Sequence, residues 1–338
     1  MANKKILVTG GAGYIGAHTV VELIQSGYEP VIIDNFSKSD RTLLDGIEKI
    51  IKRKPVFIEG DCMDRDFLRN VFSENDFSCV MHFAAFKSVG ESVQKPLFYY
   101  HNNIESLVSL LEVMKEFDIK NLIFSSSCTV YGQPDHIPVG EDAPFKRAES
   151  PYGATKQMCE RILEDTYLTG LRVISLRYFN PIGAHPSALL GELPIGIPNN
   201  LVPYVTQTAI GKREKLTVFG NDYSTPDGSC VRDFIHVVDL AIAHMNAMEY
   251  LNKKNDDVFY EVFNLGTGVG VSVLELIDKF QKVTGVKLNY TMGSRRSGDV
   301  EKTYADPAKV NKVLGWKTKY SVEEALLHAW KWEEKLAK

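Results

Sequence analysis

A tyrosine and a lysine stand four positions apart in the segment SPYGATK, as Tyr152 and Lys156. On a helix, side chains at this spacing lie one turn apart on the same face. An ammonium group beside a phenol favours the phenolate and lowers the pKa of the phenol from its reference value of ~10. The pair therefore predicts a tyrosine base that removes a hydroxyl proton near neutral pH. The same spacing also arises by chance, so the prediction depends on the surrounding sequence.

A run of three serines, Ser125, Ser126 and Ser127, closes an apolar stretch upstream of that pair. A hydroxyl at the mouth of a strand can hydrogen-bond the substrate oxygen that the tyrosine deprotonates, and it can relay the proton. The alternative is a polar strand end whose hydroxyls bond the backbone. We expect one of the three hydroxyls to point into a cleft.

A glycine-rich loop follows the first apolar run of the chain and reads TGGAGYIG over 9–16. Gly11, Gly13 and Gly16 satisfy the G-x-G-x-x-G pattern, and Gly10, Gly13 and Gly16 satisfy the related G-x-x-G-x-x-G pattern. Glycines at these positions permit a tight turn and a close approach of the backbone to a pyrophosphate. The helix that follows aims its N-terminus at the anion. The loop therefore predicts a dinucleotide-binding site.

An aspartate, Asp34, ends the second apolar run, 18 residues after Gly16. A carboxylate at this place accepts hydrogen bonds from the adenosine ribose and repels a 2′-phosphate, so it favours NAD over NADP. The alternative is that Asp34 and Asn35 only begin a turn. We predict NAD as the cofactor.

Later strand ends supply further candidates for the cofactor site, because ligands bind at the carboxyl ends of the strands in such sheets. Asp61 either contacts the adenine or caps the helix that follows it. The small Ala84 beside Phe83 either lets the backbone approach the cofactor or packs in the core. Lys87, just beyond, can reach a phosphate or a ribose hydroxyl.

Short apolar runs alternate with longer helical patterns through the first half of the chain. The runs do not alternate strictly between apolar and polar residues, which predicts strands that are buried on both faces. Strand-helix-strand repetition predicts right-handed crossovers and a Rossmann-type, doubly wound parallel sheet in an α/β fold. We predict strands at 6–9, 31–34, 56–59, 79–84, 122–125 and 173–179, and helices near 15–26, 41–52, 64–74, 97–117 and 152–168.

The local composition of the sequence changes after about residue 180, where prolines and glycines become frequent. Such a stretch is typical of a domain transition with long binding loops. We predict an NAD-binding domain at 1–180 and a smaller C-terminal α/β lobe for the substrate at 181–338. A strand candidate at 261–265 can return to the main sheet, which predicts return segments near 232–268.

Composition argues against several classes of function. The net charge of −4 over 338 residues disfavours an electrostatic nucleic-acid binder. No apolar run approaches the ~18 residues of a membrane span, and the N-terminus lacks the apolar segment of a secretory signal. The five cysteines show no short paired spacing, which suits reduced thiols and disfavours a metal site. We therefore expect a cytoplasmic protein with no nucleic-acid or membrane partner and no metal.

These motifs occur together with longer segments that carry a resemblance to a known family. The chain resembles the extended short-chain dehydrogenase/reductase family, and within it the epimerases that invert C4 of UDP-glucose and UDP-galactose. The matching segments cover nearly the whole chain, in order: TGGAGYIG at 9–16, EGD at 59–61, HFAAFKSVGESVQKPLFYYHNN at 82–103, SSSCTVYG at 125–132, SPYGATK at 150–156, LRYFNPIGAHPS at 176–187, GIPNNLVPYV at 196–205, VRDFIHVVDLA at 231–241 and NLGTGVG at 264–270.

The resemblance implies a C4 epimerase that passes through a 4-keto intermediate with transient hydride transfer to bound NAD. It assigns the base to Tyr152, the shared proton path to Ser127 and the nicotinamide ribose contact to Lys156. Besides these three, the residues that it implies around NAD are Gly10, Gly13, Tyr14, Ile15, Gly16, Asp34, Asn35, Asp61, Phe83, Ala84, Lys87, Asn102 and Phe179. Besides Ser127 and Tyr152, those that it implies around the UDP-sugar are Asn180, Asn200, Leu201, Phe219, Arg232, Arg296, Asp299 and Thr303.

Two other functions are compatible with the same fold. A sugar-nucleotide 4,6-dehydratase needs an additional acid and base, which relatives of that type place just after the fifth strand. The equivalent stretch here, Ser127-Cys128-Thr129, contains no carboxylate. A non-catalytic NAD-binding regulator is expected to lack Tyr152 or Lys156, and both are present. The sequence therefore favours the epimerase.

Apolar residues on two helices predict a homodimer. Two helices per subunit with apolar stripes wider than one core face suit an isologous four-helix contact, as in relatives of this family. The alternative is that the stripes are buried within one subunit. The stripe residues are Ile104, Leu107, Val108, Leu110, Leu111, Val113, Met114 and Phe117 on the first helix, and Met158, Ile162 and Leu163 on the second.

A threonine at position 303 predicts a roomy sugar pocket. The resemblance places Thr303 beside the sugar ring, where the bacterial type has a bulky tyrosine that leaves no room for a 2-acetamido group. The smaller side chain enlarges the pocket, so we expect additional activity on UDP-N-acetylhexosamines. The loop around 187–193 can refill the space, which would remove that activity.

Overall fold

The apolar runs in the first half of the chain form the strands of one large sheet. The computed structural model describes residues 5–296 and 299–338. Its strands are β1 (Lys5–Thr9), β2 (Glu29–Asp34), β3 (Val56–Glu59), β4 (Cys79–His82), β5 (Asn121–Ser127), β6 (Arg172–Tyr178), β7 (Asn180–Ile182), β8 (Leu216–Phe219), β9 (Val231–His236), β10 (Phe259–Leu265), β11 (Gly270–Ser272), β12 (Tyr290–Gly293) and β13 (Lys302–Thr303).

Seven of these strands pair in the order β10-β6-β5-β4-β1-β2-β3, and every neighbouring pair is parallel. From β3 to β6 this is the doubly wound order of the Rossmann fold, in which the strand order reverses beside β1. The predicted fold class is therefore confirmed. β10, which lies within the predicted return segments, pairs with β6 at the edge of the sheet, with Phe263 opposite Leu176.

The helical patterns predicted from the sequence are found within two residues of their expected bounds. Two short 3₁₀ turns, Cys128–Tyr131 and Tyr167–Thr169, extend a strand end and a helix end. The helices are α1 (Tyr14–Gln25), α2 (Arg41–Ile51), α3 (Arg65–Ser73), α4 (Val89–Gln94), α5 (Pro96–Glu116), α6 (Pro151–Thr166), α7 (Leu201–Ala209), α8 (Val237–Asn252), α9 (Val273–Thr284), α10 (Ala308–Leu314) and α11 (Val322–Leu336).

Short polar side chains start most of these helices. Asp40 accepts a hydrogen bond from the backbone of α2, and Asp64 accepts two from the backbone of α3. Ser150 caps α6 and is followed by proline at the first helical position, where the missing N–H costs nothing. Ser321 and Glu324 form a reciprocal capping box at the start of α11.

Both faces of the main sheet are buried, which explains why its strands have no polar alternation. Along β1, the side chains of Ile6 and Val8 belong to one apolar cluster and Leu7 belongs to another. The first cluster includes residues of α1 and α8, and the second includes residues of α3 and α5. The parallel sheet is therefore the middle layer of three.

The fourth strand is shorter than the prediction of 79–84, because β4 ends at His82. Phe83 still donates its backbone N–H to the carbonyl of Thr9, at 3.0 Å. Beyond it, the glycine loop passes so close to Ala84 that a Cβ atom on Gly10 would lie 2.7 Å from the Ala84 nitrogen. The chain leaves the sheet here, and residues 83–89 line the cleft at the sheet edge.

A second, four-stranded sheet is built around β9, which pairs with β11, β13 and β7. Asp233 on β9 is completely buried and accepts hydrogen bonds from the backbone N–H groups of Thr267, Gly268 and Ala305. These bonds join β9 to the turn after β10 and to the segment after β13. A two-stranded pair, β8 with β12, completes the strands.

Residues beyond 180 therefore contribute both to the main sheet, through β10, and to its helical layers, through α8. The division into domains at 1–180 and 181–338 stays a prediction. Within residues 5–296 and 299–338, no helix has the length and apolar character needed to cross a bilayer.

Candidate active site

A cavity of about 400 Å³ opens at the carboxyl edge of the main sheet. Loops that follow β1 to β6 line it, together with residues 192–203, which lead into α7. This edge is where ligands bind in doubly wound sheets. Every residue that the resemblance implies around the cofactor lines this cavity.

The glycine loop is packed too closely to accept side chains. A Cβ atom at Gly16 would lie 2.5 Å from the carbonyl oxygen of Gly10, whose φ is +69°. Gly13 is the N-cap of α1 and has no side chain to satisfy the first N–H groups of the helix. These groups are available to an anion, so the loop fits a pyrophosphate.

Asp34 both organises a turn and faces the cavity. Its Oδ1 accepts hydrogen bonds from the Ser39 hydroxyl at 2.6 Å and the Phe36 N–H at 3.0 Å, and its Oδ2 accepts one from the Ala12 N–H at 3.1 Å. Burial raises the pKa of this carboxyl, while the hydrogen bond from Ser39 opposes the shift. The turn and the ribose contact considered in the sequence analysis are therefore compatible.

Asp61 does not cap the helix that follows it, so that alternative is wrong. Asp64 caps α3, because its carboxylate is three residues closer to the first free N–H groups. Asp61 instead accepts a hydrogen bond from the Asn35 amide at 2.9 Å, across the ends of β2 and β3, and lines the cavity.

The predicted catalytic group comes together at the end of β5 and the first turns of α6. Tyr152 and Lys156 lie one helical turn apart, and Ser127 ends β5, where its hydroxyl interacts with the phenol. The Ser127 hydroxyl also accepts hydrogen bonds from the backbone N–H and the hydroxyl of Thr129. All three predicted residues line the cavity.

The three serines divide between the two faces of the sheet, as the pleat requires. Ser125 and Ser127 line the cavity, whereas Ser126 points to the opposite side and donates to the buried carboxylate of Glu160. Two of the three serines therefore line the cavity, where one was expected, and Ser127 is the one that interacts with Tyr152.

The pKa of Tyr152 is not lowered in this structure, contrary to the sequence-based expectation. Burial raises it to about 12, and the hydrogen bond with Ser127 only partly opposes the shift. Burial also lowers the pKa of Lys156 to about 8. The lysine does not oppose the effect of burial on the phenol, because its Nζ donates to the carbonyl oxygen of Ser125, at 2.6 Å, rather than to Tyr152.

A buried ion pair lies behind this group and attaches α6 to the sheet. The sequence analysis did not predict it. Glu160 and Arg177, whose side chains are 0% and 5% exposed, form a bidentate pair between α6 and β6. Arg177 also donates to the phenol oxygen of Tyr131 at 2.7 Å. The available signal was the position of Glu160, which lies one further helical turn after Lys156.

The eight further residues expected around the UDP-sugar divide into those that line the cavity and those that do not. Asn180 on β7 and Asn200, the N-cap of α7, line the cavity. The other six are not among its lining residues. Leu201 is the first residue of α7 and is half-buried. The remaining members lie together near β9 and β13: Phe219, Arg232, Arg296, Asp299 and Thr303.

This second group is organised around one carboxylate. Arg296 pairs with Asp299 at 2.7 Å, and Arg232 approaches the same carboxylate at 3.7 Å. The Arg296 guanidinium lies 5.8 Å from the centre of the Phe219 ring. Thr303 stands opposite Arg232 in the pairing of β13 with β9. Two cations and an aromatic ring at one place can bind a phosphorylated aromatic ligand.

The part of the chain that the structure describes contains no group of three or more His, Cys, Asp or Glu side chains placed to hold a metal ion.

Comparison with known proteins relates this arrangement to a family. A family model described as GDP-mannose 4,6 dehydratase matches residues 7–328. UDP-glucose 4-epimerase from Bacillus subtilis (strain 168) is 51% identical over 331 residues, which are 97% of this chain and 96% of that relative. UDP-glucose 4-epimerase from Mus musculus is 46% identical over an alignment of 339 positions, which covers 98% of this chain and 97% of that relative.

Solved structures agree with these relatives. UDP-glucose 4-epimerase from Bifidobacterium longum, in complex with NAD+ and UDP, has a TM-score of 0.94 at 44% identity and covers 98% of each chain. With the sequence relatives, this similarity places the chain in the UDP-glucose 4-epimerase family.

Proposed function

We propose that this protein interconverts UDP-glucose and UDP-galactose by epimerisation at C4, with NAD as its cofactor. The observation that carries the proposal is one cavity that contains both the glycine loop with Asp34 and the Tyr152–Lys156–Ser127 group. The named relatives support the same activity. The experiment that tests it is incubation with UDP-galactose, coupled to detection of UDP-glucose, without added NAD.

The residues of the cavity fit a dinucleotide. The open N-terminus of α1 would hold the pyrophosphate, and Asp34 would accept hydrogen bonds from the adenosine ribose. Lys156 would hold the nicotinamide ribose. When bound, NAD would act as the reversible hydride acceptor for C4 and would bring a positively charged nicotinamide ring.

The side chains of the protein move the proton and hold the substrate. Tyr152 removes the proton of the C4 hydroxyl and returns it to the same oxygen after the 4-keto sugar has turned over, with Ser127 bonding that oxygen. Lys156 lowers the pKa of the phenol when its ammonium turns from the Ser125 carbonyl toward Tyr152.

Epimerisation also needs a nucleotide end that is held tightly and a sugar end that can turn over. Arg232 and Arg296 suit the diphosphate as charge-assisted donors, and Phe219 offers a ring to the uracil. Binding energy is then placed on the part of the substrate that does not react, where it orients the chemistry.

A dehydratase is not favoured by the site, although the matching family model bears that description. No carboxylate follows Ser127 in the strand-five turn, and Asp233, which lies near Cys128, already accepts several hydrogen bonds from the neighbouring segments.

We also infer a cytoplasmic location.

Replacement of the base gives the most direct test of the chemistry. Tyr152→Phe should fold and retain NAD but lose about 10²–10⁴-fold in turnover, because general acid–base groups contribute on that order. Tyr167→Phe, at the other end of the same helix, is the matched control and should be fully active. Near wild-type turnover by Tyr152→Phe would falsify the assignment.

The cofactor prediction concerns Asp34. Purified protein should release NAD on denaturation, and an enzymatic assay of the released nucleotide should find no NADP. Asp34→Ala should weaken this discrimination because it removes the charge that repels a 2′-phosphate. Ser39→Ala, which removes only one hydrogen bond to Asp34, should preserve it. NADP as the main nucleotide released by the wild type contradicts the role of Asp34.

We propose that the protein is a homodimer, although much of the predicted stripe is buried within one chain. The helices α5 and α6 pack against each other, and Leu107, Leu110 and Leu163 are fully buried. What remains for a partner subunit is a narrower surface in which Met158 is 45% exposed, Ile104, Val108 and Ile162 are partly exposed, and Phe117 lies at the end of α5.

Sedimentation at micromolar concentration tests the dimer. The expected mass is twice the 37.9 kDa of the chain. Met158→Glu should shift the equilibrium toward the monomer, because it places a charge in the proposed interface. The exposed Leu168→Glu, beyond the end of α6, is the control. A wild-type protein that sediments as a monomer would reject the dimer.

The remaining prediction is activity on UDP-N-acetylhexosamines, which we attribute to Thr303. Its position opposite Arg232 supports a place near the sugar of a bound UDP-hexose. The wild type should convert UDP-N-acetylgalactosamine, as chromatography of the products would show, and Thr303→Tyr should lose this conversion while retaining activity on UDP-galactose. If the wild type does not convert UDP-N-acetylgalactosamine, the prediction is wrong. If Thr303→Tyr still converts it, a feature other than Thr303 makes the pocket permissive.

A further inference from the structure

Glu192 joins two sides of the cavity that have separate implied roles. Its Oε1 accepts a hydrogen bond from the Lys87 ammonium at 2.9 Å and another from the Asn200 amide at 2.6 Å. Lys87 lies in the loop after β4, among the residues expected around NAD. Asn200 is the N-cap residue of α7 and is among the residues expected around the UDP-sugar. The same carboxylate oxygen therefore contacts both ligand-binding groups.

The fold holds Glu192 in this place from outside the cavity. Its carbonyl oxygen accepts a hydrogen bond from the indole N–H of Trp332 on α11, at 3.0 Å. The preceding Gly191 lies against the same indole, where a Cβ atom would approach the ring to 2.5 Å. The Glu192 side chain is only 12% exposed. Its position is thus set before any ligand binds.

The two contacts leave donors and acceptors free for ligands. An ammonium group has three donors, so Lys87 can bond Glu192 and an oxygen of the cofactor together. A carboxylate only accepts, so the nitrogen of the Asn200 amide must face Glu192, and Oδ1 remains as an acceptor for a ligand hydroxyl or N–H. Glu192 thereby selects the orientation of the Asn200 amide.

We propose that Glu192 is a positioning residue that couples the nucleotide-sugar site to the cofactor site through Lys87. The assignment of the two ligands rests on the proposed function. Because Lys87 helps to fix the Glu192 carboxylate, a change on the cofactor side alters the affinity for UDP on the other side. Coupling of this kind is reciprocal, so a bound nucleotide also stabilises the arrangement of Lys87.

The test measures UDP affinity by calorimetry on the protein as purified, together with the kcat and KM for UDP-galactose. Glu192→Gln should raise the Kd for UDP and the KM by about tenfold, since charge-assisted hydrogen bonds are replaced by neutral ones, with little change in kcat. Lys87→Met should also raise the Kd for UDP, but not further in the Glu192→Gln background. This lack of additivity is the signature of action through one residue.

A matched control separates this role from a general loss of stability. Glu333, whose side chain is 4% exposed, pairs with a half-exposed lysine, Lys212, at 2.7 Å, and it is not among the residues that line the main cavity. Glu333→Gln should lower the melting temperature without changing the Kd for UDP.

Three results would overturn the coupling: an unchanged Kd in Glu192→Gln, additive effects of the two cavity variants, or an equal rise in Kd in Glu333→Gln. Wild-type protein that binds UDP but does not convert UDP-galactose would contradict the proposed function instead, and the Kd comparison would still decide the role of Glu192.

Discussion

Every neighbouring pair of strands in the main sheet is parallel, and the position of the site depends on that constraint. A parallel strand can follow its neighbour only after a crossover, so all the carboxyl ends meet at one edge. The glycine loop after β1, Asp34 at the end of β2 and Ser127 at the end of β5 are brought together there. Residues separated by more than a hundred positions therefore face one cavity.

The same edge must hold α6 at a fixed height above the sheet, because the proposed chemistry requires Tyr152 and Lys156 to meet Ser127. The buried pair of Glu160 and Arg177 provides this attachment, with further bonds to Ser126 and Tyr131. Buried charges are tolerated only when they are paired and hydrogen-bonded, so this network admits few alternative arrangements. It specifies the position of the helix more than it adds stability.

Two other carboxylates hold together the side of the cleft that we propose for the substrate. Asp233 fixes β9, which carries Arg232, to the segments after β10 and β13. Glu192 connects the loop before α7 to the loop after β4. Both carboxylates accept several hydrogen bonds from different elements. The cleft is assembled from loops, and these bonds define its geometry.

Local features of the protein were determined by the sequence itself. The glycine loop, the cap residues and the one-turn spacing of Tyr152 and Lys156 depend on neighbours a few positions away, and the buried parallel strands follow from uninterrupted apolar runs. The roles of Arg232, Arg296 and Thr303 came only from the resemblance, because an isolated arginine or threonine carries no local signal.

The tertiary structure decided the rest. Lys87 meets Glu192 across 105 positions, and Arg177 meets Glu160 across 17, through contacts that no short-range pattern encodes. Likewise, the stripe on α5 proved mostly buried because it packs against the main sheet as well as against α3 and α6. The pKa of Tyr152 rises rather than falls because it is set by burial and by the direction of the Lys156 ammonium, which are properties of the assembled fold and not of the spacing.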